Sequence, residues 1–403
     1  MTVALVGTLD TKAEELGFAR EVLRTAGVDV HVIDVGVLGE PGFTPDTEAA
    51  AVAAAAGEDL VALREAGDRG TAMTTMGEGA AAIVTDRYDA GDLSGVMGLG
   101  GSGNTSVATT AMRALPYGVP KLMVSTMASG DVRPYVGAHD VMMMHAVADV
   151  EGVNQLTRRI ITNAAHAMAG MVDAPASVDE PAGSTVGVTM FGVTTPCVQT
   201  ARARLEDAGH EVIVFHATGT GGQAMEGLVE QGVIDAVLDV TTTELADELV
   251  GGVLSAGPDR LTAAGAAGVP QVVSVGAMDM VNFGPPETVP DRFADRTFHE
   301  HNPQVTLMRT TAEECAELGR ILARKVNGAD GPSVVALPLG GVSMLSVPDE
   351  PFHDPAADEA LFDAIRDELD PDVERIEYDG HVNEEGFAAT IADRLETLSG
   401  GDA

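Results

Sequence analysis

Short apolar runs alternate along this chain with segments whose apolar residues recur at helical spacing. Val3–Val6 reads as a strand, Glu14–Thr25 as a helix and Val28–Val35 as a second strand. After a loop at Pro41–Pro45, helices are expected over Thr47–Ala66 and Thr71–Tyr88. Gly95-Val96-Met97 then leads into a glycine loop, and Ser106–Leu115 reads as a helix stopped by Pro116. Strands at Lys121–Thr126 and Asp140–Val147 and a helix at Asn154–Met171 complete the first series, with Met142–Met144 read as core. Residues 173–184, rich in Pro, small and acidic residues, read as a linker. A second series follows. Strands are expected at Thr185–Phe191, Glu211–Phe215, Ala236–Val240, Gln271–Val275, Val305–Met308, Val334–Leu337 and Glu374–Tyr378. Its helices are expected at Cys197–Ala208, Gln223–Gln231, Thr243–Val250, Thr311–Val326, Ala356–Glu368 and Glu384–Leu398. This alternation predicts an α/β fold of two domains, residues 1–172 and 185–399, each with a mostly parallel sheet.

Composition adds three constraints. The 403 residues are 45% hydrophobic but only 3% aromatic, without Trp, so the core must be aliphatic. The formal net charge is -39, and the only lysines are Lys12, Lys121 and Lys325. The acids are scattered rather than massed in a tail, which reads as adaptation to high salt, where the screening length falls to roughly 3 Å. Such a surface argues against sequence-independent nucleic-acid binding. Cys197 and Cys315 are too few for a disulfide framework, and no apolar run approaches a membrane span. A soluble, cytoplasmic chain is expected.

Candidate chemistry is sought just after strands, where ligands of open parallel sheets gather. Gly98-Leu99-Gly100-Gly101-Ser102-Gly103 precedes a helix, and a glycine turn at a helix N-terminus suits a phosphate. It is no Walker A loop, since no Gly-Lys-Ser/Thr follows. It is a poor dinucleotide fingerprint too, because the strand after it ends in hydroxyls instead of an acid. Asp10-Thr11-Lys12 follows the first strand, and Ser125–Gly130 follows the Lys121 strand. Lys12 suits a phosphate or a solvated helix start; Asp10 suits the site or an N-cap; Arg69 suits a phosphate or a surface ion pair. In the second half His216, Glu244 and Asp279 are placed to converge as general acid/base groups. The alternatives are a hydrogen-bonded structural histidine and a helix-start acid. His299 and His301 alternate in a polar loop and, if extended, face one way, which leaves a metal site open without a third ligand.

Five segments carry a resemblance in matching order: Gly7–Lys12, Gly98–Gly103, Val188–Cys197, Phe215–Gly219 and Asp279–Gly284. Together they make the chain similar, over essentially its whole length, to the uncharacterised prokaryotic family related to the tomato mosaic virus resistance protein, an ATP-binding inhibitor of viral RNA replication. The resemblance does not extend to the plant protein's C-terminal barrel, which is not expected here. The resemblance implies two Rossmann-like domains with a cleft between them. It implies ATP, with magnesium, on the first domain, contacting Asp10, Thr11, Lys12, Gly100, Gly101, Ser102, Gly103 and Arg69. Two functions follow as expectations. One is an ATP-dependent transferase or ligase acting on a small polar metabolite in the cleft; the other is a non-catalytic protein whose domain closure on ATP sets partner affinity. The expected assembly is a homo-oligomer, and neither nucleic acid nor membrane is an expected partner.

Overall fold

The computed structural model describes residues 1–174 and 183–400, so most of the expected linker lies outside the described residues. The chain divides into two compact units, Met1–Val178 and Asp179–Ala403.

The first unit carries β1 (Thr2–Gly7), β2 (Asp29–Asp34), β3 (Gly95–Gly100), β4 (Lys121–Ser125) and β5 (Met142–His145). All pair in parallel, in the order β2-β1-β3-β4-β5. β1, β3 and β4 are covered on both faces, which is why they read as continuous apolar runs and not as alternating ones. Helices α1 (Ala13–Thr25), α2 (Ala49–Ala55), α3 (Leu60–Ala66), α4 (Arg69–Asp89), α5 (Ser102–Arg113), α6 (Arg133–Val136) and α7 (Gln155–Asp173) connect them. The aliphatic side chains of α1 and α7 form one core against the sheet, and those of α2 to α5 form the other.

Three expectations change here. Met142–Met144, read as core, lie on the edge strand β5, where Met142 is exposed and Met143 and Met144 are half-buried because no strand covers that side. The single helix over Thr47–Ala66 is instead α2 and α3. Gly57 breaks it with a φ of 80°, and Asp59 restarts it by accepting from Ala62 N at 3.0 Å. The glycine loop is also shorter than the sequence implies, because β3 runs to Gly100 and α5 begins at Ser102. Gly98 is a packing glycine. A Cβ there would lie 2.7 Å from Ala108 Cβ and 2.8 Å from Met123 Sδ, so it lets α5 lie close on the sheet.

The second unit repeats the strand order. β6 (Thr185–Met190), β7 (Glu211–His216), β8 (Ala236–Thr241) and β9 (Gln271–Gly276) belong to a six-stranded parallel sheet. β10 (Met280–Phe283), β11 (Phe298–Asn302) and β12 (Val305–Arg309) form a separate antiparallel sheet in the order β10-β12-β11. β13 (Ser333–Pro338) and β14 (Glu374–Tyr378) complete the main sheet, whose order is β14-β13-β9-β8-β6-β7. The helices are α8 (Thr195–Asp207), α9 (Thr220–Glu230), α10 (Thr243–Val250), α11 (Ala263–Ala266), α12 (Ala312–Asn327), α13 (Pro355–Glu368) and α14 (Glu385–Ser399). The Val305–Met308 strand thus exists but belongs to the antiparallel sheet. Its partner β11, Phe-His-Glu-His-Asn, is a polar edge strand with no apolar alternation to betray it, so His299 and His301 lie on a strand and not in a loop.

Candidate functional site

In the first unit the connections leave β1 and β3 in opposite directions, and the carboxyl ends of these neighbouring strands flank a crevice. Open α/β sheets bind ligands at such a switch point. A cavity of about 560 Å3 lies here, lined by Thr8–Lys12 residues after β1, Gly100–Asn104 at the start of α5, and side chains of α3 and α4.

The turn after β1 is closed by Lys12 N donating to Thr8 O at 2.8 Å, with the hydroxyls of Thr8 and Thr11 2.9 Å apart. Lys12 sits at the N-cap of α1, where a lysine has no oxygen to cap with, and its ammonium is left for the cavity. Gly101 is the N-cap of α5 and likewise caps nothing. The N–H groups of the first turn, Ser102, Gly103 and Asn104, therefore have no intrahelical acceptor. Gly100 adopts a φ of 155°, and a Cβ on it would lie 2.9 Å from Asn104 Cβ, so glycine is required there. Asn104 Nδ2 donates to Leu99 O at 2.7 Å and Val6 O at 3.4 Å, while its Oδ1 is buried without a partner. Arg69 opens α4 beneath Asp68, which caps that helix by accepting from Gly70 N and Thr71 N. An Arg69 Nη2 lies 3.3 Å from where a Cβ on Gly103 would be. Neither Lys12 nor Arg69 is paired with a carboxylate among the described residues, although the chain holds 62 acids against 23 lysines and arginines.

The opposite wall is apolar, formed by Val35, Val37, Leu63, Met73, Met76 and Val107. Behind it, two acids stitch the loops after β1 and β2 together. Asp34 Oδ1 accepts from Leu9 N and Gly36 N, both at 2.9 Å, and burial pushes its carboxyl up from the usual range against these bonds. Asp10 does not cap α1. Its Oδ2 accepts from Leu38 N at 2.7 Å and Gly39 N at 3.2 Å. Arg64 donates from Nε to Val37 O at 2.9 Å and from Nη2 to Gly39 O at 3.0 Å. The structure therefore gathers Asp10, Thr11, Lys12, Arg69 and Gly100–Gly103 at one cavity. Sequence reasoning missed Asp34 and Arg64 and gave Asn104, within the same stretch as the glycines, no role. The carboxyl-end rule pointed at Asp34, which closes β2, and Asn104 follows the glycines directly.

The second-unit residues have different surroundings. His216 ends β7 in the open, its ring 5.5 Å from that of Phe191. Glu244 is fully buried. It accepts from Gly219 N at 2.7 Å and Gly222 N at 3.1 Å at the start of α9, and from Arg260 Nε at 2.6 Å. Arg260 also grips Asp239 through both Nη atoms, at 2.5 and 2.7 Å. Burial raises the Glu244 carboxyl, opposed by Arg260, whose own guanidinium is held charged by three carboxylates. Asp279 belongs to another buried network, accepting from Ser343 Oγ at 2.6 Å and facing Arg309, which pairs with Asp358 at 2.5 Å. The side-chain contacts of His216, Glu244 and Asp279 thus share no partner; Glu244 is spent on internal pairing, and Asp279 is fully buried with Oδ1 unpartnered. His299 packs edge-on against Phe352 at 6.3 Å, and among the described residues no three His, Cys, Asp or Glu side chains group as a metal site. Among the described residues, no helix is long and apolar enough to cross a membrane.

Comparison with known proteins spans both units. Residues 1–177 match the N-terminal domain, and residues 183–399 the C-terminal domain, of Uncharacterised protein family (UPF0261). A UPF0261 protein of Clostridium tetani is 48% identical over 98% of each chain, and one of Rhizobium meliloti is 47% identical over 96% of each. The ToMV resistance protein Tm-1(GCR237) of Solanum lycopersicum is 39% identical over 98% of this chain, which spans 56% of that protein. On these matches over both units, the chain belongs to the UPF0261 family.

Proposed function

We propose that the first unit binds ATP in the switch-point cavity, with the phosphates at the N-terminus of α5 between Lys12 and Arg69. One observation carries this reading: two cations without counter-ions face the same open helix terminus in a chain of net charge -39. Two unpaired cations beside unpaired helix N–H groups suit an anion. The volume, about 560 Å3, suits a nucleotide-sized ligand, and the apolar wall suits a base. The resemblance to an ATP-binding plant relative favours adenine. Asn104 Oδ1, buried and unpartnered, is a further acceptor at the site. Magnesium would enter on the phosphates, keeping most of its other ligands as water.

Coupled to this site we propose transfer of the γ-phosphoryl group from ATP to a small polar metabolite, ADP leaving, or to a carboxylate whose acyl group is then passed on with release of phosphate, with Lys12 and Arg69 stabilising charge as it develops on the phosphates. Of the three second-unit candidates, His216 alone is exposed, and it is the one we propose as the general acid or base. A second reading, a protein whose partner affinity is set by ATP, is favoured by the burial and pairing of Glu244 and Asp279. Isothermal titration in high salt tests the shared step and should find one ATP site per chain. Screening small polar acids and sugars with ATP then separates the two. Turnover that is lost in His216→Ala while ATP affinity holds supports the enzyme, whereas ATP-dependent capture of a protein partner without turnover supports the binder.

A further inference from the structure

The carboxylate of Asp10 lines the cavity, yet its atoms are turned into the protein. Oδ2 already accepts from Leu38 N and Gly39 N. Oδ1 is buried without a partner and packs on Gly36, where a Cβ would lie 2.8 Å from it and 2.7 Å from the carboxyl carbon. Arg64 holds the same loop from the other side through Val37 O and Gly39 O. Every amide and carbonyl gripped in this way lies between residues 36 and 39, the segment that presents Val37 and Leu38 to the cavity. Leu38 is 83% exposed, a large apolar side chain held in the open at the mouth of a cavity. The free cations and unpaired N–H groups lie at Lys12, Arg69 and α5 instead.

Resting on the nucleotide reading above, we infer that Asp10 and Arg64 are positioning residues. They fix the 36–39 backbone as the wall against which the nucleoside end of the ligand packs, and Asp10 touches neither phosphate nor metal. Gly36 is part of the device, because only a residue without Cβ leaves room for the Asp10 carboxylate.

The test compares two ligands, ATP and inorganic tripolyphosphate, each with magnesium, on the full chain, with thermal unfolding measured alongside. In Asp10→Ala the loop loses two charge-assisted bonds, and ATP should bind about 10- to 100-fold more weakly. Tripolyphosphate, which has no nucleoside to pack, should keep its affinity to within about twofold. Gly36→Ala keeps every charge but displaces the carboxylate, and should give the same split. Asp10→Asn, which retains one acceptor oxygen for Leu38 N and Gly39 N, should recover much of the ATP affinity. Parallel changes in both ligands would overturn the inference and place Asp10 at the phosphates or the metal. Unchanged ATP affinity in both Asp10→Ala and Gly36→Ala would overturn it as well. Wild-type protein that binds neither ligand defeats the nucleotide reading itself, an outcome distinct from either.

Discussion

Substitution of Gly101 by valine separates ligand binding from folding. Gly101 has φ -86° and ψ -166°, an extended backbone that any residue adopts, and the nearest neighbour to its Cβ position is Thr126 Oγ1 at 3.8 Å. The fold therefore has room for the side chain. Valine is a poorer N-cap than glycine, so a loss of about 1 kcal/mol is expected, a drop of roughly 2–4 °C in melting temperature for a unit of this size. The new methyl groups, however, stand before the first turn of α5, where a phosphate would meet the N–H groups of Ser102 and Gly103. Losing two charge-assisted bonds at about 1.5–3 kcal/mol each weakens binding by roughly 10²–10⁴-fold. Titration calorimetry with ATP in high salt measures this directly, and Gly101→Ala should fall between wild type and valine. ATP affinity in Gly101→Val within twofold of wild type, with the fold intact, would refute the placement of phosphate at α5.

Other outcomes follow from the second unit and from the charge. Arg260→Met leaves Asp239 and Glu244 buried without their cation and should destabilise by about 3–5 kcal/mol, read from chemical denaturation. Asp247, buried beside Asn282, has its carboxyl raised from 3.8 to about 7, chiefly by burial. The folded state then keeps a proton that the unfolded chain releases, so this contribution is full below pH 3.8 and is lost as pH rises towards 7. The stability difference between wild type and Asp247→Asn should accordingly change across that window and level off above it; a flat difference contradicts the shift. With a net charge of -39, circular dichroism should show structure lost as salt falls from molar to roughly 0.1 M, where screening extends to about 10 Å.

The regular elements were legible wherever local pattern decides them. The helix read at Glu14–Thr25 is α1, Ala13–Thr25, and the apolar runs of β1, β3 and β4 became buried strands, whereas Met142–Met144, read as core, form the edge strand β5. The misreadings have local causes: Gly57 splits an otherwise continuous alanine-rich pattern, and β11 is too polar to show alternation. Lys12 and the glycines were legible because strand-end position and a rare lysine stand out in one dimension; Arg69, at a helix start among many arginines, was assigned to the site only by the resemblance. What holds the cavity was not. Asp34 reaches Leu9 and Asp10 reaches Leu38 and Gly39 across 25 to 29 residues, and nothing in a sequence of 62 acids marks these two as loop anchors. Glu244 misled for the same reason. A helix-start acid and a buried partner of Arg260 look alike until the fold brings residue 260 to it.

The repeated strand order explains why one unit offers a site and the other fills the corresponding place. In both sheets the second strand pairs outside the first, and the third pairs on its other side, so each unit has a switch point. After β1 and β3 the chain places Lys12, Gly101 and Ser102, whose charged or unpaired groups have no internal use. After β6 and β8 it places Thr194, Thr241, Thr242 and Thr243, all fully buried, and the hydroxyls of Thr194 and Thr241 bond to each other at 2.8 Å. The start of α9, which could have received an anion, already receives one in Glu244, whose carboxylate accepts from Gly219 and Gly222 and is neutralised by Arg260. The Glu244 carboxylate thus takes the Gly222 N–H of the first turn and puts a negative charge where a phosphate would have to sit. The difference between the units is thus chemical and not topological: the first leaves cations and helix N–H groups for a ligand to satisfy, where the second pairs Thr194 with Thr241 and Glu244 with Arg260.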